Sequence, residues 1–594
     1  MSENPQIVYG SDAMVRQLSD LNIPYIALIP GSSFRGLHDS IVNFNGNHNP
    51  EIILCLHEEH SVAIAHGFAK ITEHPMAAIV HDAVGLMHAI MAVYNAHCDR
   101  MAVLLLGGNG PLDATRRRMW VDWIHTAGDE GALIRHYVNF DDQPASVQAA
   151  ISSIITATAA ASQIPRGPTF VCLDVALQED KISNPAAIHF PSTERYSQAA
   201  KNPPGPSPED VASIRKALLQ AKRQRRLFLF GRVNRSQKSW DERIKLAERY
   251  DARVLTDLKV AASFPTRHRL HAAAPDLFLN NEEIEGIRAA DVIVSFDWVD
   301  LAGTLKMAFA ENDRLGEAPE QITIVNITLD FPAIHNGWTK DHFAQPPVDI
   351  AVTADVDKTV SAILAATPEQ HHPVSTTWWP TPSPKNPLPT SKSYSPTDKI
   401  TITALTHALY TAIPPSEISL IRLPLGFKGA DLLTTHPLSF LGQDGGAGTG
   451  SGPGNAVGAA LALKHLQSKL LPVAVLGDGD FLMGSSALWS AVRHRVPLLV
   501  VVANNRSFYN DEKHQVDVAR QRGRPVGNAG VGTRIDDPAP DLAGIGAALG
   551  AATIAGGQVR KREELGGVLE RAVREVRGGK VVVVDVLVVP EEEG

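Results

Sequence analysis

Two side chains able to offer hard oxygen ligands, Asp478 and Asn505, follow two apolar runs in the last third of the chain. Residues 472–476 predict a buried strand that ends in Gly477-Asp478-Gly479-Asp480, and residues 485–494 have the composition of a helix. Residues 496–503 predict a second strand, ending in Asn504-Asn505. A parallel strand–helix–strand unit returns both strand ends to one sheet edge, so Asp478 and Asn505 are expected side by side. A carboxylate and an amide carbonyl suit Mg2+. Gly477 and Gly479 let the backbone approach phosphate oxygens, and the following helix N-terminus adds N–H donors. Spacing alone leaves a second reading open, in which both segments are ordinary turns.

A second group of polar residues follows apolar runs nearer the N-terminus. His57-Glu58-Glu59-His60 comes after 52–56, Val80-His81-Asp82 closes the run begun at Ala77, and Pro30-Gly31-Ser32 follows 25–29. Carboxylates and imidazoles at strand ends can hold and move protons, and open α/β sheets bind ligands there. Polar caps on a domain surface are the plain alternative.

The elements that must carry these residues alternate apolar runs with helical patterns, which predicts an α/β fold of three parallel-sheet domains. The expected divisions are 1–190, 205–365 and 396–594, with a Pro-, Ser- and Thr-rich linker at 366–395. In the first domain a strand at 102–106 is expected to end at Gly107-Gly108. In the second, 227–230 runs into Gly231-Arg232. A chain of 594 residues is expected to hold two to four domains. Its formal charge of -9 argues against a broad nucleic-acid footprint. Cys55, Cys98 and Cys172 are too few and scattered for a disulfide scaffold or zinc cluster. The N-terminus has no basic-then-apolar pattern of a secretory signal. Residues 581–589 are too short to span a membrane and are broken by Asp585. They predict an interior strand, and a cytoplasmic enzyme is expected.

Gly477-Asp478-Gly479 through Asn504-Asn505 resembles the thiamine diphosphate and Mg2+ motif of the acetolactate synthase, pyruvate decarboxylase and benzoylformate decarboxylase superfamily. The resemblance implies the thiamine diphosphate enzyme arrangement: an aminopyrimidine-binding domain, a middle domain and a diphosphate-binding domain. It implies Mg2+ ligation by Asp478, the Asn505 side chain and the Ser507 carbonyl, with the diphosphate beside Asp480 and Phe481. His57-Glu58-Glu59 is similar to the His-Glu-Gln segment of acetolactate synthases. On that comparison Glu58 faces N1′ of the aminopyrimidine, shares a proton with it and so promotes loss of the thiazolium C2 proton.

Pro30-Gly31-Ser32 and Val80-His81-Asp82 resemble the segments that supply an active-site serine and histidine in benzoylformate decarboxylase. The implied roles are orientation of a substrate carboxylate by Ser32 and proton relay by His81. Tyr94-Asn95-Ala96-His97 resembles the same enzyme's Asn-x-His pattern, with His97 expected in packing or a hydrogen-bond network. His125-Thr126 is similar to the end of the His-His-Thr segment of pyruvate decarboxylases, with Ile124 at the first histidine position. Asp511 stands at the offset of their active-site glutamate. An interior or surface histidine is the alternative for His81, and a solvated acidic turn is the alternative for Asp511. The glycine-rich stretch 445–455 resembles the aminopyrimidine cradle, yet has Thr449, Gly450 and Ser451 where relatives place a bulky apolar side chain to bend the cofactor.

The resemblance thus implies thiamine diphosphate- and Mg-dependent decarboxylation of a 2-oxo acid, giving an aldehyde or transferring the enamine to a carbonyl acceptor as an acyloin. An acetolactate synthase-type carboligase is the enzymatic alternative. A catalytically silent, cofactor-binding regulatory or assembly protein is the alternative of another class. The superfamily also implies a homodimer or a homotetramer built as a dimer of dimers, with Glu58 of one chain facing the diphosphate domain of another. FAD binding at Gly231-Arg232 stays open, and no nucleic-acid or membrane partner is expected.

Overall fold

The computed structural model describes residues 6–196, 202–310, 318–330, 346–368, 378–379, 399–443, 445–554 and 557–590. The apolar runs of the first third form β1 (Tyr25–Leu28), β2 (Glu51–Leu54), β3 (Met76–His81), β4 (Val103–Asn109), β5 (Asp141–Asp142) and β6 (Pro168–Asp174). They pair in parallel in the order β2-β1-β3-β4-β6-β5. The strands β3, β4 and β6 are buried almost throughout because helices cover both faces, which is why their sequences are continuously apolar.

Two further sheets repeat this plan. In the middle of the chain β7 (Arg226–Phe230), β8 (Arg253–Leu255), β9 (Val292–Phe296), β10 (Thr323–Ile327) and β11 (Ile350–Val352) are ordered β11-β10-β9-β7-β8. The last third gives β12 (Ile418–Arg422), β13 (Leu471–Gly477), β14 (Leu498–Asn504), β15 (Ala552–Thr553) and β16 (Val581–Leu587), ordered β12-β13-β14-β16-β15. All pairs are parallel. The valine run is therefore the interior strand β16. The fold is the expected α/β arrangement of three parallel sheets. Among the described residues no helix is long and apolar enough to cross a membrane. The three cysteines are unpaired, and Cys55 and Cys172 are buried.

The sequence expectations differ from the structure in three places that bear on the site. β4 does not stop at Gly107-Gly108 but runs through both to Asn109. A Cβ at Gly108 would lie 2.3 Å from Ser33 Oγ, so the strand keeps a glycine there to admit that serine. The helix after β13 starts at Asp478, not at 485; it spans Asp478–Gly484 and is followed by a second helix, Ala487–Arg493. Most of the expected linker lies outside the described residues, but Trp379 is buried and its indole N–H donates to Glu282 at 3.0 Å. That part of the stretch is an anchor on the helix Asn281–Ala289 as well as a connection.

The first and third sheets share one apolar core. Helix Glu58–Thr72 lies directly on helix Gly452–His465. A Cβ at Gly67 would sit 2.1 Å from the Asn455 carbonyl oxygen, and one at Gly458 would sit 1.9 Å from that of Ile64. The two helices touch backbone to backbone, which only glycine permits. Part of the glycine-rich stretch thus serves domain packing.

Candidate active site

Strands β13 and β14 are neighbours in register, with Gly477 opposite Ala503. Asp478 and Asn505 therefore emerge at the same sheet edge, as the strand–helix–strand argument requires. Asp478 is 3% exposed; its Oδ1 accepts the Gly479 N–H at 2.8 Å and its Oδ2 is buried with no hydrogen-bond partner. Burial pushes its carboxyl above the ordinary range. Asn505 Oδ1 accepts the Ser507 N–H at 3.0 Å, which fixes the amide beside the Ser507 turn. A Cβ at Gly479 would strike the Phe508 ring at 2.4 Å, whereas one at Gly477 would project into open space. Gly477, Asp478, Asn505, Ser507 and Asp511 all line a cavity of about 1340 Å³. An orphaned carboxylate oxygen, a fixed amide and an uncrowded glycine are the donor set and the room that a Mg2+-diphosphate group needs.

Asp480 and Phe481 do not turn their side chains toward such a group. Asp480 Oδ1 accepts the Gly450 N–H at 2.7 Å and its Oδ2 lies 3.4 Å from Arg422 Nε, while Phe481 is fully buried. Only their backbone is left for a diphosphate, which a carboxylate would repel. The loop that Asp480 ties down meets two methionines. A Cβ at Gly448 would lie 2.4 Å from Met91 Cε, and Thr449 Oγ1 lies 3.4 Å from Met483 Sδ. The sequence reading singled out neither methionine, because both occupy helices remote in the chain from the glycine-rich stretch.

At the other sheet, the adjacent acids Glu58 and Glu59 part company at the start of their helix. Glu59 accepts from Ser451 Oγ at 2.6 Å and pairs with His60 at 2.7 Å, so it ties the first domain to the third. Glu58 instead meets His88, whose Nδ1 lies 3.0 Å from its Oε2. His57 stacks on His88 with ring centroids 5.0 Å apart and planes at 18°. His88 carried no motif signal; its spacing of two helical turns from His81 along Asp82–Cys98 was the available hint.

His81 ends β3 beside this pair: a Cβ at Gly85 would touch both Glu58 Cγ at 3.3 Å and His81 Cβ at 3.5 Å. The serine that meets His81 is Ser33, a residue the sequence did not single out. Ser33, which is fully buried, lies 2.8 Å from His81 Nδ1, because the short turn Ser32–Phe34 directs Ser33 inward. Ser32 stays half-buried on the wall of a shallow depression with Arg35 and His38. His125, at the end of the helix Val121–His125, comes within 5.1 Å of His81, ring centroid to centroid, with the planes at 83°. Between them lies Asp82, wholly buried, with Oδ2 3.2 Å from His81 Nδ1 and 3.8 Å from His125 Nδ1. Burial drives the Asp82 carboxyl up to about 7. Burial first, then the charge of His125, lowers the pKa of His81. His97 stacks on Tyr94, in keeping with a packing role.

The structure thus brings the site residues together in two groups. Glu58, His81 and His125 stand at the first sheet, but none of them, nor Ser32, lines the cavity that holds Asp478, Asn505, Ser507 and Asp511. Asp511 is exposed in the first turn of helix Tyr509–Gln521; the neighbouring Glu512 is the acid held in place, by Ser507 Oγ at 2.7 Å and Arg534 at 3.0 Å. The backbone N–H groups of the Gly231-Arg232 turn are engaged within the protein. They donate to the carbonyls of Phe296 and Asp297, and Arg232 pairs with Asp297 and Asp330. A Cβ at Gly231 would lie 2.0 Å from the Asp297 carbonyl oxygen, so close strand approach accounts for this glycine.

Residues 8–131 match the family described as thiamine pyrophosphate enzyme, N-terminal TPP binding domain, and residues 429–586 its C-terminal TPP binding domain. The chain is similar to benzoylformate decarboxylase of Pseudomonas aeruginosa, at 24% identity over 77% of this chain and 79% of that enzyme. It is similar to the acetolactate synthase isozyme 3 large subunit of Escherichia coli, at 21% identity over 98% and 95%. Its fold is similar to the crystal structure of benzoylformate decarboxylase from Polynucleobacter necessarius, with a TM-score of 0.78 and 19% identity over 98% of this chain and 99% of that one.

Proposed function

The chain belongs to the thiamine diphosphate-dependent enzymes of the acetolactate synthase, pyruvate decarboxylase and benzoylformate decarboxylase superfamily, and on that premise we propose that it decarboxylates a 2-oxo acid and releases the aldehyde. The observation that carries the aldehyde-forming reading is the pair of imidazoles, His81 and His125, 5.1 Å apart and next to Glu58. Releasing an aldehyde requires a proton at the former carbonyl carbon, and two histidines at that position can deliver it.

When bound, thiamine diphosphate supplies the nucleophilic carbon and the electron sink for loss of CO2. Asp478, the Asn505 side chain and the Ser507 carbonyl would hold the Mg2+, and the open face of Gly477 would accept the diphosphate. Met483 and Met91 would brace the glycine loop. Glu58 would hold a proton at N1′ of the aminopyrimidine, with His88 fixing its carboxylate. Ser32 would meet the substrate carboxylate from the rim, and Asp511 would close the far side. Because the two groups of residues do not share a cavity within one chain, a second copy would complete the site, Glu58 of one protomer facing Asp478 of its partner. Exposed Met119, Trp120 and Trp123 beside His125 support a covered apolar surface there.

A carboligase that makes acetohydroxy acids is favoured by one observation, the likeness to an acetolactate synthase along nearly the whole chain. A panel of 2-oxo acids, with and without acceptor aldehydes, separates the readings by product mass. Aldehyde as the main product supports this proposal; 2-hydroxy-2-acyl acids as the main product would replace it with the carboligase.

A further inference from the structure

Asp82 is the most unusual residue near the histidine pair. It starts the helix Asp82–Cys98 at a φ of 44°, in the left-handed region that a residue with a side chain adopts at a cost. It is 0% exposed; the Ser33 hydroxyl and the Gly110 N–H approach its carboxylate, but among the described residues neither oxygen has a donor in good hydrogen-bond alignment. A buried carboxylate so poorly held is costly, so a chain that needed only a left-handed helix start there would do better with glycine or asparagine. The one oxygen that approaches ionisable groups, Oδ2, faces both imidazoles through their Nδ1 atoms.

We propose that Asp82 is a positioning residue that holds one proton in common with His81, so that His81 Nε2 stays protonated and able to donate through the neutral range. The reasoning is a count of protons. If the shared proton sits on the carboxyl, its O–H donates toward Ser33 Oγ, the Ser33 O–H donates to His81 Nδ1 at 2.8 Å, and the neutral ring carries its hydrogen on Nε2. If it sits on Nδ1, the ring is a cation and Nε2 again carries a hydrogen. Both distributions leave Nε2, on the far side of the ring from Ser33 and Asp82, as a donor. When Nε2 gives its proton to the substrate carbon, the shared proton keeps the ring from becoming an imidazolate.

Arg118 and Asp122 face Asp82 but bind each other at 2.7 Å, so their charges offset. Glu130, at the Cys172 thiol, is pushed up to about 8 by burial and the Asp82 charge, and adds no charge at neutral pH. Ser33 is uncharged, and Glu58, just across Gly85, favours the protonated ring of His81 and so acts in the same direction as Asp82. His125 competes for the same carboxylate oxygen from the greater distance.

The proposal rests on the reading of His81 as the proton donor, and the two are tested apart. Histidine-selective 15N NMR of the cofactor-loaded wild type should show His81 protonated at Nε2 from pH 5.5 to 8. In Asp82→Asn the His81 transition should move down by at least one pH unit. The loss of aldehyde formation in that variant should be at least tenfold greater at pH 8 than at pH 5.5. A wild-type His81 that titrates alone near 6.5, with its neutral form protonated at Nδ1, would overturn the proposal even if the variant does not fold. So would a loss in Asp82→Asn that is uniform with pH, or a stoichiometric Zn2+ bound at His81, Asp82 and His125. Unchanged aldehyde yield in His81→Ala would instead reject the reading beneath it.

Discussion

The Asp480 carboxylate accepts the backbone N–H of Gly450 at 2.7 Å, thirty residues back along the chain. This bond joins the loop expected to cradle the aminopyrimidine to the helix expected to face the diphosphate. Arg422 reaches the same carboxylate from β12. Asp480 therefore ties these two segments together through its side chain.

Asp480→Ala should destabilise the fold by about 1–3 kcal/mol, because it strips a donor's acceptor and leaves Arg422 short of a partner. Urea unfolding of the variant checks this. Asp480→Asn should lose less, since its amide oxygen can still accept from Gly450.

Removing the proposed metal ligand should act on cofactor affinity more than on stability. Asp478 is held by nearby backbone N–H groups, those of Gly479, Arg506 and Ser507, so Asp478→Ala gives up local contacts while relieving a buried charge. Thiamine diphosphate should bind at least about tenfold more weakly, as expected for loss of 1.4 kcal/mol or more, and chelation of Mg2+ should weaken the wild type likewise. Titration of intrinsic fluorescence reads both effects.

Contact between the helices of the first and third domains should be intolerant of a single methyl group. Gly67→Ala forces a Cβ to 2.1 Å from the Asn455 carbonyl oxygen. The helices must part, at a cost of about 1–3 kcal/mol. A thermal unfolding temperature unchanged from wild type would reject the close packing.

Glu130 gives the protein a pH-dependent stability of definite sign. Its folded carboxyl is raised by burial from an ordinary value near 4.5 to about 8. Between those values the folded state keeps a proton that the unfolded chain has lost, so stability falls as pH rises, by up to about 1.4 kcal/mol per unit. Glu130→Gln should remove this slope and exceed the wild type in stability above neutral pH. Urea unfolding at pH 6, 7 and 8.5 measures the difference.

Much of the site was legible because parallel sheets collect their strand ends. The apolar runs before Asp478 and before Asn505 marked two such ends, and the adjacency of β13 and β14 follows from their helical crossover. What stayed hidden depends on turns and on contacts distant in sequence. Ser32 and Ser33 are neighbours of the same type, and only the geometry of one short turn selects Ser33 to meet His81. Asp480 sat inside the motif, but its partner Gly450 belongs to another segment, so its side chain could not be placed. FAD binding at Gly231 was left open by the sequence; the Asp297 carbonyl oxygen 2.0 Å from its missing Cβ gives the glycine a packing cause that only the fold reveals. His88, Met91 and Met483 lie on helices where their residue types suggest nothing beyond packing.

The central claim is that Glu58 activates a thiamine diphosphate held by Asp478 and Asn505. Exchange of the cofactor's C2 proton for deuterium in the loaded protein, without substrate, tests it most directly. The account expects Glu58→Gln to bind the cofactor with near wild-type affinity and to slow exchange by about 100-fold or more. Wild-type exchange rates in a Glu58→Gln protein with cofactor bound would contradict it.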